Sequence, residues 1–194
     1  MAFTVRYGTD APERFIKEVY ALDKAVYSPS LCGVIENLEK RYNRCKDSFI
    51  LVYNGDELAA YINLFPVGEK LKQELDDPDK YLLRDDDIEP EEMLDWEENK
   101  EHHLFIISAV VRESYRDGEA IKVLGNTLLE FLRRKHEAGY LIGSLSGSAV
   151  SEGGANFLKR FRAGFVKYVF ENEEDKRSKE NLPHEMKDRY YRCD

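Results

Sequence analysis

From Phe3 to Tyr7 apolar and polar residues alternate with the period of a half-buried strand, and Thr9-Asp10-Ala11-Pro12 supplies an N-cap and an early proline for a helix. That helix carries Phe15, Ile16, Val19, Tyr20 and Leu22 until Ser28-Pro29-Ser30 breaks it. A second amphipathic helix puts Val34, Ile35, Leu38 and Tyr42 on one face and ends before Lys46-Asp47. Two β-rich runs, Ser48–Tyr53 and Glu57–Leu64, flank Asn54-Gly55-Asp56, a hairpin signal because Asn and Gly tolerate positive φ. Pro66 is expected to close the second strand.

The run Leu104 to Val111 is nearly continuous in apolar residues, as a strand covered on both faces would be. A helix from about Ala120 to His136 follows, with Ile121, Leu124, Leu128, Phe131 and Leu132 on one side, basic residues in its last turn and Gly139 as a stop. Tyr140 to about Ser148 then reads as a strand, so this is a strand–helix–strand unit whose two strands run parallel. Ser151 caps a short helix through Phe157, Leu158 and Phe161 that Gly164 ends; Phe165–Phe170 and Lys187–Arg192 read as strands around a polar stretch. The predicted fold is α/β (α+β). A single domain, residues 1–194, holds a mixed, mostly antiparallel sheet of about six to seven strands flanked by helices.

The charge changes this picture at one place. Between Leu71 and Glu101 stand fourteen Asp and Glu against four Lys and Arg, a net −10 in a chain whose total is −9. The remainder is close to neutral, so residues 71–101 read as an acidic helical insertion, with Pro90 suited to a helix's first turn and Met93, Leu94 and Trp96 as apolar contacts. Asp85 to Pro90 has the acids of a calcium loop but a proline at the position where such a loop turns on glycine, so no metal site is expected. Net negative charge argues against nucleic acid or an anionic membrane as partner. Three cysteines without paired spacing, no signal-peptide pattern at the N-terminus and no long apolar run point to a cytoplasmic protein.

Two other patterns carry no chemistry. Gly143-Ser144-Leu145-Ser146-Gly147 has Leu where a nucleophile elbow needs Ser, and Arg133-Arg134-Lys135-His136 complements a helix C-terminus. The turn after the buried strand, Val110-Val111-Arg112-Glu113-Ser114-Tyr115-Arg116-Asp117-Gly118-Glu119-Ala120-Ile121-Lys122, is different. A helix N-terminus at the carboxyl end of a parallel strand offers unpaired N–H groups to an anion, and Arg112, Arg116 and Lys122 add positive charge.

This Val-Arg-x-x-x-Arg loop leading into a helix resembles the CoA-binding motif of the GNAT superfamily of acyl-CoA-dependent N-acyltransferases. The run from Gly153 to Phe165 is similar to the helix ending in Gly-Phe that closes the cofactor groove in that family, and the order of elements agrees outside the acidic insertion. Two positions usually Gly or Ala are Glu119 and Ile121 here, and Arg160 and Phe161 stand where a general-acid tyrosine is often found. The resemblance implies acetyl-CoA as cosubstrate, held by Val110, Val111, Arg112, Arg116, Asp117, Gly118, Glu119, Ala120, Ile121, Lys122 and Ser151. It implies direct attack by a primary amine on the thioester, with a backbone N–H near Val110 or Val111 polarising the carbonyl. For proton removal the candidates are Glu101, His103 and Ser148; His102 lies beside His103 and faces the other way. A cationic amine acceptor fits the acidic insertion. A catalytically degenerate CoA-binding or interaction module, and a homodimer through the insertion, remain as alternatives.

Overall fold

The computed structural model describes residues 3–116 and 118–194, the side chain of Asp85 excepted. In chain order the elements are β1 (Phe3–Tyr7), α1 (Phe15–Val26), α2 (Ile35–Arg44), β2 (Phe49–Asn54), β3 (Glu57–Val67), α3 (Glu69–Asp76), β4 (Glu101–Val111), α4 (Glu119–Glu137), β5 (Leu141–Ala149), α5 (Glu152–Lys159), β6 (Gly164–Tyr168), α6 (Glu173–Lys179) and β7 (Arg189–Cys193). The strands form one sheet in the order β1-β2-β3-β4-β5-β7-β6. The β4–β5 pair is parallel and the other neighbouring pairs are antiparallel, because the β4-to-β5 connection runs through α4 while β6 and β7 return across the edge.

Strand alternation sorts the core onto two faces. Ile50, Val52, Ala60, Ile62, Leu104 and Ile106 meet Leu124 and Leu128 of α4 and Phe157 and Leu158 of α5. Phe49, Leu51, Tyr53 and Tyr61 point the other way, onto Phe15, Val19 and Leu22 of α1 and Leu38 of α2. Each fully buried Leu or Phe contributes about 1.5–3 kcal/mol, so these faces hold the helices against the sheet.

Several elements depart from the expectations. Pro66 lies inside β3, paired opposite Leu104, and does not close it. The β2 ladder stops opposite Asn63, and the Pro66 carbonyl on the side β2 has vacated accepts from Leu94 N at 2.9 Å, so no ladder donor is missed there. In the acidic segment the α-helix is α3, which buries Leu71 and Leu75; Pro90 instead opens a single 3-10 turn, Pro90–Glu92. Met93 beyond it is fully buried and bridges Val67. In the hairpin Asn54 pairs with Glu57, so the loop is Gly55-Asp56 and Gly55 takes the positive φ of 61°. The left-handed residue after α5 is Arg162, with φ 63°, and Gly164 begins β6. The polar stretch before β7 holds α6, capped by Asn172 accepting from Asp175 N.

Candidate active site

The site originates in one extra residue. Asn63 pairs with Ser108 but Leu64 pairs with Ile106, so Ile107 is unmatched and bulges out of β4. A bulge bends its strand and increases the local twist. The parallel pairing with β5 ends at that point, at Ile106 opposite Gly147, although β4 runs on to Val111 and β5 to Ala149. The strands diverge there and leave a cleft of about 540 Å³ whose walls include Val111, Ile121, Leu124 and Phe157. The extra residue also inverts the alternation: Leu104 and Ile106 face α4 before it, Ala109 and Val111 after it, and Ser108 and Val110 turn toward α1.

The predicted loop residues separate in the structure. Arg112 N donates to Ala59 O at 2.8 Å, so along the antiparallel ladder Val110 also directs its N–H to β3, while Ala109 and Val111 direct theirs to the open β5 side. The Arg112 side chain leaves the cleft, its Nε donating to Leu58 O at 3.0 Å beside Glu57. Arg116 remains at the cleft, its Nε 3.4 Å from Val111 O. Gly118 is the extended N-cap of α4, Ala120 is buried beneath the first turn, and Ile121 lines the cleft. Glu119 and Lys122 pair with each other at 3.4 Å on the exposed side of the helix, outside the cleft wall. Asp117 lies outside the described residues. Ser151 lines the cleft and caps α5, its Oγ accepting from Gly154 N at 3.1 Å.

Of the proton-transfer candidates, Ser148 alone lines the cleft. Glu101 and His103 stand at the other end of β4, where His103 Nδ1 meets Ser144 Oγ at 2.8 Å, and its Nε2 lies 3.1 Å from Lys72 Nζ and 3.6 Å from Glu101 Oε1. Five strand residues, about 17 Å, separate His103 from Ser108. His102 faces the opposite side, buried, with Nε2 accepting from Glu97 N at 3.0 Å and Nδ1 therefore carrying the proton toward Leu141 O.

What sequence reading did not find is a set of polar groups behind the bulge. A second, smaller cavity of about 50 Å³ adjoins the cleft, and Tyr27, Ser108 and Ser148 border both. Ser108 Oγ is 3.1 Å from Tyr27 Oη and 2.7 Å from Tyr61 Oη, and Tyr61 Oη donates to the buried Asp23 carboxylate. Burial, and then the neighbouring Asp23, holds the Tyr61 phenol well above its ordinary pKa. Leu82, Leu83 and Arg84 of the acidic segment form the far wall of the small cavity.

No family sequence model and no curated protein sequence matches the chain. Solved structures do. The loading GNATL domain of CurA from Lyngbya majuscula superposes with a TM-score of 0.65 at 12% identity, covering 100% of this chain and 98% of that one. A GNAT-like decarboxylase, GphF, solved with isobutyryl-CoA, gives 0.64 at 11% identity over 97% of each chain. Arabidopsis thaliana Naa50, solved with a bisubstrate analogue joining CoA to an acetylated peptide, gives 0.58 at 9% identity over 100% of this chain and 99% of that one. With its mixed seven-stranded sheet and one parallel pair, the chain has the fold of these GNAT structures.

Proposed function

We propose that this protein is an acyl-CoA-dependent N-acyltransferase that moves an acetyl group from acetyl-CoA to a primary amine of a small molecule, a peptide or a protein lysine. The observation that carries the reading is the cleft where β4 leaves β5. Its volume of about 540 Å³ lies within the roughly 300–1,000 Å³ usual for small-molecule sites. The residues present fit an acyl-CoA. Apolar walls and the outward N–H and C=O groups of Ala109 and Val111 suit a pantetheine arm with its two amides, and the first turn of α4 with Arg116 suits a pyrophosphate. Glu119 pairs with Lys122 on the exposed side of that turn.

In this mechanism Val111 N–H, pointing into the cleft, stabilises the oxyanion that develops on the attacked carbonyl, and the two strands hold the thioester in line with the amine. Arg116 and Ile121, which line the cleft, position the cofactor end together with the backbone N–H groups of Gly118 and Ala120 between them, and Ser151 lines the same cleft. The second reading, a CoA-binding module without turnover, is favoured by the end of α5: Phe161 packs on Phe157 at 5.1 Å between ring centroids, and Arg160 and Phe161 stand where a phenol would protonate a leaving thiolate. Thiol release from acetyl-CoA, followed with phenethylamine, putrescine and a tetrapeptide, separates the two. Amine-dependent release supports the transferase; acetyl-CoA binding with no release on any of the three supports the module.

A further inference from the structure

The polar chain behind the bulge has a direction that proton counting fixes. Each hydroxyl carries one proton. Tyr61 gives its proton to Asp23 Oδ1, so toward Ser108 Oγ, at 2.7 Å, it accepts. Ser108 has then committed its own proton and accepts from Tyr27, at 3.1 Å. All three protons point inward, toward the carboxylate of Asp23, a residue 6% exposed that itself lines the small cavity beside the fully buried Tyr61. The outer end, Tyr27, stands where the small cavity opens on the cleft. A cavity of about 50 Å³ has room for an amino group and its carbon, and Phe105 and Leu82 give it apolar sides.

We propose that the small cavity receives the reacting amine and that Asp23 is the final acceptor of its proton, reached through Tyr27, Ser108 and Tyr61. The inference rests on the N-acyltransferase reading and assigns that reaction a base. As the amine nitrogen bonds to the thioester carbon, one N–H proton passes to Tyr27 Oη, the Tyr27 proton to Ser108 Oγ, the Ser108 proton to Tyr61 Oη and the Tyr61 proton to Asp23. The C–S bond breaks with its electron pair on sulfur, the carboxylate becomes a neutral acid, and its proton returns to solvent after product leaves. The raised pKa of Tyr61 suits this role, since the phenol relays a proton without resting as phenolate. Among the described residues, the titratable and charged groups around Asp23 are Tyr61 on β3, Tyr27 after α1, Arg84 across the cavity and Cys32, whose Sγ lies 3.6 Å from the Asp23 carbonyl oxygen.

The test compares wild type, Asp23→Asn and Tyr61→Phe with acetyl-CoA and whichever of phenethylamine, putrescine and the tetrapeptide the wild type acetylates. Both substitutions keep the side chain's shape. A fall in kcat of about 10²-fold or more is expected, with acetyl-CoA affinity within twofold of wild type. The acid limb of kcat against pH is expected to vanish in Asp23→Asn. A readout independent of activity is the Tyr61 hydroxyl proton in the ligand-free protein, expected as a downfield NMR resonance in wild type and absent in Tyr61→Phe. Turnover within threefold of wild type in both variants, with the acid limb unchanged, overturns the relay and leaves the acyltransferase reading standing. A wild type inert toward all three amines overturns both.

Discussion

Cys45 shows what burial does to a single group. It is 8% exposed, and burial, reinforced by the Asp47 carboxylate, pushes its thiol up to about 12. A group whose pKa is higher folded than unfolded stabilises the fold below the unfolded value and loses that contribution as pH rises toward the folded one. Urea unfolding from pH 8 to 10.5 should therefore show wild type losing stability against Cys45→Ala by up to about 1.4 kcal/mol per pH unit above about 9; parallel curves would contradict it. At the same scale the site was only half legible. Ile121, Arg116 and Ser151 were readable because local spacing places them at helix starts. Asp23, Tyr61 and Ser108 were not, since Tyr61 stands 38 residues from Asp23 and 47 from Ser108, and no local pattern joins them. Glu101 and His103 were natural candidates by chemistry. Periodicity does not reveal at which end a strand leaves its neighbour, and one isoleucine too many in an apolar run gives no sign of a bulge.

Elements were legible where they bury a periodic face. α4 is the clearest case, with Leu124 and Leu128 fully buried while Leu129 is 54% exposed. Leu128→Ala should cost about 3 kcal/mol in denaturant unfolding and Leu129→Ala under about 0.5; equal costs would mean that α4 does not present this face to the sheet. α3 escaped notice because its two core contacts, Leu71 and Leu75, sit among charges that dominate the window. α6 buries no residue at all, so its sequence holds caps and ion pairs but no apolar period. Pro66 misled for the opposite reason: proline is excluded from a ladder only where a partner strand needs its N–H, and β2 has ended there.

Across the whole molecule the uneven charge has a structural use. Carboxylates of the acidic segment pair with bases elsewhere, Asp76 with Arg192 and Asp95 with Arg44, and others pair inside it, as Asp87 does with Arg84. Leu82 N also donates to Phe170 O at 2.8 Å, so the segment is bound to the chain just beyond β6. Among the described side chains, it brings Leu82, Leu83 and Arg84 to the small cavity. Of the three bases in the loop after β4, Arg112, Arg116 and Lys122, it is Arg116 that lines the cleft, beside the first turn of α4. Binding of acyl-CoA in this cleft is measured by calorimetric titration of the purified protein with acetyl-CoA. One-to-one binding with a Kd of about 1–100 μM, weakened about tenfold by Arg116→Ala through loss of one charge-assisted contact, is the predicted result. No heat of binding at millimolar acetyl-CoA would contradict it.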